Sequence, residues 1–439
     1  MTQSQRSAGR RFSDLRGAVR LTAEATAQVT DIAEGVHRAV GQTIGLPGGA
    51  EPGRTRGLTG WIYGNVRAIA RAAGVGIEAG LSGLERLSLE DPGAPDAGDS
   101  RRRRAALAAL NGVMGDRLAR DGNPLTQALG FFGPDGEDLD DLAARRPELF
   151  TSKALLMVHG LCLDDFSWRP TPSGADGGAG GDRIDLSRSV ADAVESTPVY
   201  ARYNTGLHIS ENGRRLAGAL EGLVKAWPTS MERLDVVAHS MGGLVVRCAY
   251  QQAVDRGLSW PGAVDSIIFL GTPHHGAPLE KLGGVIDTAL GGSRWTEPFL
   301  KLAHLRSAGI TDLRHGALLD VGDASPSRFG DQRDRRRPLP LPEGVKCRTA
   351  VATLTARRGS GLTQAVHDGL LGDGLVPVPS ALGRHPDPGR ALDFDEDSSR
   401  LFYGLGHFDL LYRREVAEQV VDWLRTEESP PFSLACSTR

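Results

Sequence analysis

From about residue 124 onward, five apolar runs alternate with stretches whose apolar residues recur every three or four positions. The runs are "ALLMVHG" (154–160), "TPVYARYN" (197–204), "LDVVAHS" (234–240), "SIIFLGT" (266–272) and "VKCRTAVATL" (345–354). Each is too short for a globular helix and too continuously apolar for a strand with one wet face. Between and after them, "NGRRLAGALEGLVKAW" (212–227), "GGLVVRCAYQQAV" (242–254) and "LYRREVAEQVVDWL" (411–424) carry helix spacing. Strands buried on both faces and separated by amphipathic helices require a mostly parallel sheet with helices on both faces. "ALGFFGPDGEDL" (128–139) adds an expected hairpin around Pro134-Asp135-Gly136. In such a sheet, ligands bind beyond the carboxyl ends of the strands, so those ends hold the informative residues.

One run ends abruptly. After Val237, the segment Ala238-His239-Ser240-Met241-Gly242 passes straight from strand pattern to helix pattern. Small-x-Ser-x-Gly at such a junction lets strand and helix nearly touch and holds the serine in a strained, exposed turn. Taken alone, the pentapeptide fits an ordinary strand–helix turn equally well. A serine hydroxyl becomes a nucleophile only when a base takes its proton and a carboxylate orients that base. Asp373, set among glycines in "GLLGDGLVPVPSALG" (369–383), and His407, following Gly406 in "LFYGLGHFDLL" (401–411), follow Ser240 in that order. Asp312 and Asp409 are rival carboxylates. The first strand ends in His159-Gly160, where the backbone turns across the strand tip. The N–H groups of Leu161 and Met241 are thereby expected to converge on one point, as donors to a developing oxyanion must.

These motifs, with "FLGTPHHGAP" (269–278), "GDGLVP" (372–377) and "GHFDL" (406–410), resemble the bacterial lipases and esterases of the α/β-hydrolase fold. Within these, the chain is most similar to the branch that includes GPI inositol-deacylase-like hydrolases. The resemblance covers roughly residues 124 to 428. It implies Ser240 as nucleophile, His407 as general base and acid, Asp373 as orienting carboxylate, and Leu161 and Met241 as oxyanion donors. Ala238 departs from the glycine usual there. Asp409 stands where some lipases of this fold place a calcium ligand, but no second ligand accompanies it, and a helix N-cap or solvated role is expected instead. No metal and no cofactor are expected. His159, His239, His274, His275 and Leu279 are candidates for the substrate pocket, with a wall-shaping loop the favoured role for the His274-His275 pair.

The expected division is a helical region over 1–120, a hydrolase domain over 121–428 with a cap insertion over 276–342, and a tail over 429–439. Gly60/Gly64 and Gly76/Gly80 at four-residue spacing suggest close helix approach in the first region. Arg67 and Arg71 break its most apolar stretch, which excludes a bilayer span. Those helices are expected to pack on the hydrolase domain or a second subunit, or else to lie on a lipid surface. A chain starting near Asn123 is expected to retain short-ester hydrolysis.

The formal charge is 51 − 54 = −3. It gives no hint of nucleic acid, and the basic runs at 101–104 and 333–337 have acidic residues close by. Four scattered cysteines, with no C-x-x-C pair, suit a reducing, cytoplasmic setting, and no secretory signal is expected. The expected function is hydrolysis of a hydrophobic or lipid-like ester through an acyl-enzyme. An acyltransferase using the same three residues and a non-catalytic binding protein of the same fold are the alternatives.

Overall fold

In the computed structural model the described residues are 97–169, 183–277, 307–316, 318–319, 338–356 and 372–425. The helices expected before residue 97, most of the 276–342 insertion with Leu279, and the 429–439 tail lie outside them. The chain divides into two compact units, one of residues 1–100 with 117–126, the other of 101–116 with 127–439. The second takes in residues that the sequence pattern assigned to the N-terminal region.

That second unit is built on a seven-stranded sheet. The strands are β1 (Gly130–Phe132), β2 (Lys153–Val158), β3 (Thr197–Arg202), β4 (Arg233–His239), β5 (Val264–Leu270), β6 (Lys346–Thr353) and β7 (Ser399–Tyr403). Their order is β1-β3-β2-β4-β5-β6-β7, with β1 antiparallel to β3 and every other pair parallel. The helices are α1 (Ala97–Arg120), α2 (Leu139–Arg145), α3 (Leu186–Ala193), α4 (Ile209–Ala226), α5 (Met241–Asp255), α6 (Ala308–His315), α7 (Val378–Ala381) and α8 (Arg414–Arg425). This is the α/β-hydrolase fold.

The five apolar runs become β2 to β6, each buried from end to end apart from an edge residue or two. Alternate residues serve the two faces. Leu155 and Met157 of β2, Val237 of β4 and Ile268 of β5 pack under Val190 of α3 and Val416, Val420 and Trp423 of α8. The residues between them face the other way, where α4 and α5 lie against each other. A fully buried aliphatic side chain contributes about 1.5–3 kcal/mol, so two dry faces account for the unbroken apolar runs.

The hairpin expected at 128–139 is corrected. Gly133 N–H donates to the Glu137 carbonyl (2.9 Å), which closes the turn, but β1 takes its ladder from β3. The second arm is lost because the Asp138 side chain accepts the N–H groups of Asp140 and Asp141 and starts α2. Strand β7 and helix α3 carry no clear signal in the sequence. Among the described residues no helix is long and apolar enough to cross a membrane.

Candidate active site

The site is built at the carboxyl end of β4, near the middle of the sheet. Ser240 has φ 54° and ψ −126°, a backbone conformation that L residues rarely adopt. Two glycines make the turn possible. A Cβ on Gly242 would lie 2.5 Å from the Val158 carbonyl oxygen and 2.6 Å from that of His159. One on Gly243 would lie 2.1 Å from Thr272 Oγ1. The first turn of α5 is thus pressed onto the ends of β2 and β5. Ser240 N–H donates to the Leu270 carbonyl (2.9 Å), which ties the turn to β5.

Asp373 and His407 come together across 34 residues. His407 Nδ1 lies 2.7 Å from Asp373 Oδ2, and His407 N–H donates to the Asp373 carbonyl (3.0 Å). The other carboxylate oxygen of Asp373 accepts the N–H groups of Leu375 (2.9 Å) and Val376 (2.7 Å). An ionised carboxylate only accepts, so Nδ1 carries the proton and Nε2 is left as the basic nitrogen. The glycines around Asp373 are required by shape: Gly372 has φ 51°, and a Cβ there would fall 1.9 Å from the Val376 carbonyl oxygen.

His407 and Ser240 each approach the end of β5. A Cβ on Gly271 would lie 3.2 Å from both Cε1 and Nδ1 of His407, while Leu270, one residue earlier, holds the Ser240 N–H. The ring of His239 lies tilted against that of His407, 4.6 Å between centres, and its Nε2 donates to the His407 carbonyl (3.2 Å). Burial first, and the neighbouring His407 second, push the His239 imidazole well below its ordinary range and keep it neutral.

The rival carboxylates are engaged elsewhere. Asp312 Oδ2 meets His208 Nδ1 (3.0 Å) and the Ile209 N–H (2.9 Å) at the start of α4. Asp409 Oδ2 accepts the Gly406 N–H (2.9 Å). It is not the N-cap itself but the third residue of a short turn, reaching back to its entrance. Among the described residues no group of three metal-ligating side chains occurs.

The Gly160 end of β2 also arrives here. A Cβ on Gly160 would lie 2.8 Å from the Cβ of Ser240, so the peptide joining Gly160 to Leu161 runs beside the serine. Met241 opens α5, and the first N–H groups of a helix have no intrahelical acceptor. Both groups named from the sequence as oxyanion donors therefore flank Ser240.

The histidines proposed for the pocket are otherwise occupied. His159 is buried, stacked on Tyr203 at 4.5 Å, and its Nδ1 meets the Gly160 carbonyl (3.0 Å). His274 is 2% exposed, lies against Phe269 and Phe394, and takes a hydrogen bond from Arg247 on Nδ1 (3.2 Å). Burial and that guanidinium push its imidazole well below the ordinary range. His275 Nε2 donates to the Gly383 carbonyl (3.0 Å). The last two tie the turn after β5 to α5 and to the loop after α7. Asp165, which the sequence reading did not single out, is fully buried and clamped by Arg104 (2.6 Å) and Arg202 (2.5 Å) just after the Gly160 turn. A carboxylate so soon after a strand-ending glycine was the available signal.

A family model described as a domain of unknown function (DUF7379) matches residues 134–282. No curated protein matches the chain. Among solved structures, the Bacillus licheniformis lipase BlEst2 in mature form is similar at 20% identity, over 62% of this chain and 91% of that one, with a TM-score of 0.37. A hormone-sensitive lipase from a metagenome library is similar at 12% identity, over 63% and 78%, with a TM-score of 0.33. The thioesterase domain SrfTE, which cyclises the lipopeptide antibiotic surfactin, is similar at 12% identity, over 69% and 97%, with a TM-score of 0.31. The chain's own strand order, with its antiparallel first strand and its serine turn after β4, is that of an α/β-hydrolase fold.

Proposed function

We propose that the protein is a serine carboxylic-ester hydrolase that acts on a hydrophobic or lipid-like ester through an acyl-enzyme. One observation carries this reading: Ser240 is strained at the tip of β4, and at the end of the neighbouring β5 lies a histidine whose Nδ1 is bonded to a buried carboxylate. His407 Nε2 takes the Ser240 proton as Oγ attacks the ester carbonyl. The negative oxygen that develops is met by the N–H groups of Leu161 and Met241. His407 then protonates the departing alcohol, and a water activated by the same nitrogen releases the acid. Asp373 holds the ring orientation and stabilises the imidazolium.

The choice of a hydrophobic ester draws on the apolar residues of the 276–342 segment, Leu282, Val285 and Phe299 among them. The resemblance to GPI inositol-deacylase-like hydrolases makes an acylated inositol lipid the first specific substrate to try. Residues 1–120 are proposed to pack on the hydrolase domain or a second subunit, or to lie on a lipid surface. Flotation on anionic liposomes and light scattering of the full chain separate those roles.

The test is fluorophosphonate labelling run beside a chain-length series of p-nitrophenyl esters. Labelling at Ser240 and turnover that improves with acyl length support the proposal. A protein that neither labels nor hydrolyses any ester of the series refutes it. Product formed only when an alcohol acceptor is added moves the assignment to acyl transfer.

A further inference from the structure

Three non-glycine residues have left-handed φ among the described residues, and two of them, Ser240 (φ 54°) and Cys162 (φ 61°), stand on the two sides of the site. Cys162 belongs to the turn that carries Leu161. Leu163 N–H donates to the Gly160 carbonyl (3.3 Å), which closes a four-residue turn with Leu161 and Cys162 at its centre. Positive φ at the third position alone marks a type II turn, where glycine is the ordinary occupant. A cysteine persists there only if its surroundings over-determine it.

They do. The Cys162 N–H donates to Thr205 Oγ1 (3.2 Å), and the side chain is fully buried. Gly112 of α1 lies against it: a Cβ on Gly112 would fall 2.3 Å from Cys162 Sγ and 3.1 Å from its Cα and N. Gly112 is itself held, since Ser307 Oγ donates to its carbonyl (2.7 Å). The helix is seated on both sides of this point. Asn204 Nδ2 donates to the Gly115 carbonyl (2.9 Å), and a Cβ on Gly206 would fall 2.1 Å from the Asn111 carbonyl oxygen. Burial pushes the Cys162 thiol up to about 12, so it stays protonated, fills the contact and donates weakly to the Ala109 carbonyl of α1 (3.9 Å).

Leu161 is thus pinned at both ends, by Gly160 against Ser240 and by Cys162 against Gly112. We propose that Gly112, on the face of α1 that grips Cys162, is a positioning residue for the Leu161 N–H, fixing the turn so that this donor faces the reacting oxygen. The inference rests on the reading of Ser240 as the nucleophile. It makes a helix upstream of the sheet part of the active-site support.

The experiment uses the full chain. Gly112→Ala inserts a methyl into the contact and is expected to lower kcat for p-nitrophenyl butyrate by about ten- to a hundredfold with KM little changed. The inhibition constant of a trifluoromethyl ketone, which needs the same donor, should rise in step with the loss in kcat/KM, a link that general loosening would not produce. Gly112→Ala combined with Cys162→Gly vacates the space again and should recover most of the rate. If Gly112→Ala does not fold, Thr205→Val, which removes the acceptor of the Cys162 N–H, is read by the same three measurements. Folded variants with unchanged kcat, or slower variants that bind the ketone as tightly as wild type, overturn the proposal. Wild-type protein that takes no fluorophosphonate overturns the nucleophile reading and this inference with it. A labelled, active wild type beside an equally active Gly112→Ala overturns the inference alone.

Discussion

Gly160 and Ser240 touch: a Cβ added to the glycine would stand 2.8 Å from the Cβ of the serine and 3.1 Å from His239 Nδ1. The ends of β2 and β4 are therefore in contact through a glycine, and any side chain there must push the serine turn away from the Leu161 peptide. Gly160→Ala is expected to keep the fold at a cost of about 1–3 kcal/mol, the usual penalty for overpacking. It should lower kcat/KM far more than that loss of stability explains. Urea unfolding run beside ester kinetics checks both halves, and wild-type kinetics in a folded Gly160→Ala protein would contradict the site geometry.

Removing the proton relay is expected to separate three carboxylates cleanly. Asp373→Asn should lose about 10⁴ in kcat, because an amide on His407 Nδ1 no longer enforces the tautomer with a basic Nε2. Asp312→Asn and Asp409→Asn should stay within a few-fold of wild type, since their partners are the start of α4 and the Gly406 N–H. The three variants are compared at one pH on one p-nitrophenyl ester. Comparable losses in all three would show that the His407–Asp373 bond is not what matters.

Asp165 predicts a stability effect with a definite pH sense. Burial raises its carboxyl, but the guanidiniums of Arg202 and Arg104 outweigh that and hold it below the usual carboxylate range. Its contribution is therefore complete above the unfolded-state pKa and is lost as pH falls through the lower, folded-state value. Asp165→Ala leaves two partly buried guanidiniums facing an empty site and should cost about 3–5 kcal/mol. Thermal unfolding at neutral pH measures this, and an unchanged Tm would show that the cluster contributes nothing net.

Asp235 has the opposite sign. It is 1% exposed, and burial pushes its carboxyl up to about 6 from an ordinary 3.8, although Arg233 lies 2.8 Å away. The ion pair pulls the other way, but Arg233 is shared with Asp265 (2.9 Å) and Asp235 Oδ1 has no partner among the described residues, so the burial effect prevails. Its favourable, protonated state is fully present below pH 3.8 and is lost as pH rises through about 6. Asp235→Asn should remove that slope, changing the stability difference from wild type by about 2 kcal/mol between pH 4 and pH 7. Parallel pH profiles for the two proteins would contradict the assignment.

Removing residues 1–122 takes away Asn111, Gly112 and Gly115 along with the rest of α1. On the inference drawn from Gly112, the contacts of that helix with Cys162, Asn204 and Gly206 predict a loss of activity, where the sequence suggested that a chain starting near Asn123 keeps it. Such a chain should show less than about a tenth of the wild-type kcat on a short soluble ester, where acyl length plays no part. Full activity after the deletion would return α1 to a dispensable role.

The apolar runs were enough to define β2 to β6, because a strand buried on both faces must be apolar throughout whatever its neighbours are. Ser240 and Asp373 stood out as candidates for a related reason: each stands where a strand or loop needs glycine to turn, and such turns are written locally, whereas His407 stood out only by its order after them in the chain. β7 was not legible, because Ser399 to Tyr403 pairs with β6 on one side only and, at five residues, reads two polar then three apolar or aromatic, with no alternation to register. Neither was the second arm of the 128–139 hairpin, where a capping aspartate won over a strand pattern. The burial of Asp165 between two arginines, the bracing of His274 by Arg247, and the seat of α1 on Cys162 were decided only by the tertiary structure. In each case the partners lie far apart in the chain, and a charge or a small residue means nothing until folding selects what stands opposite it.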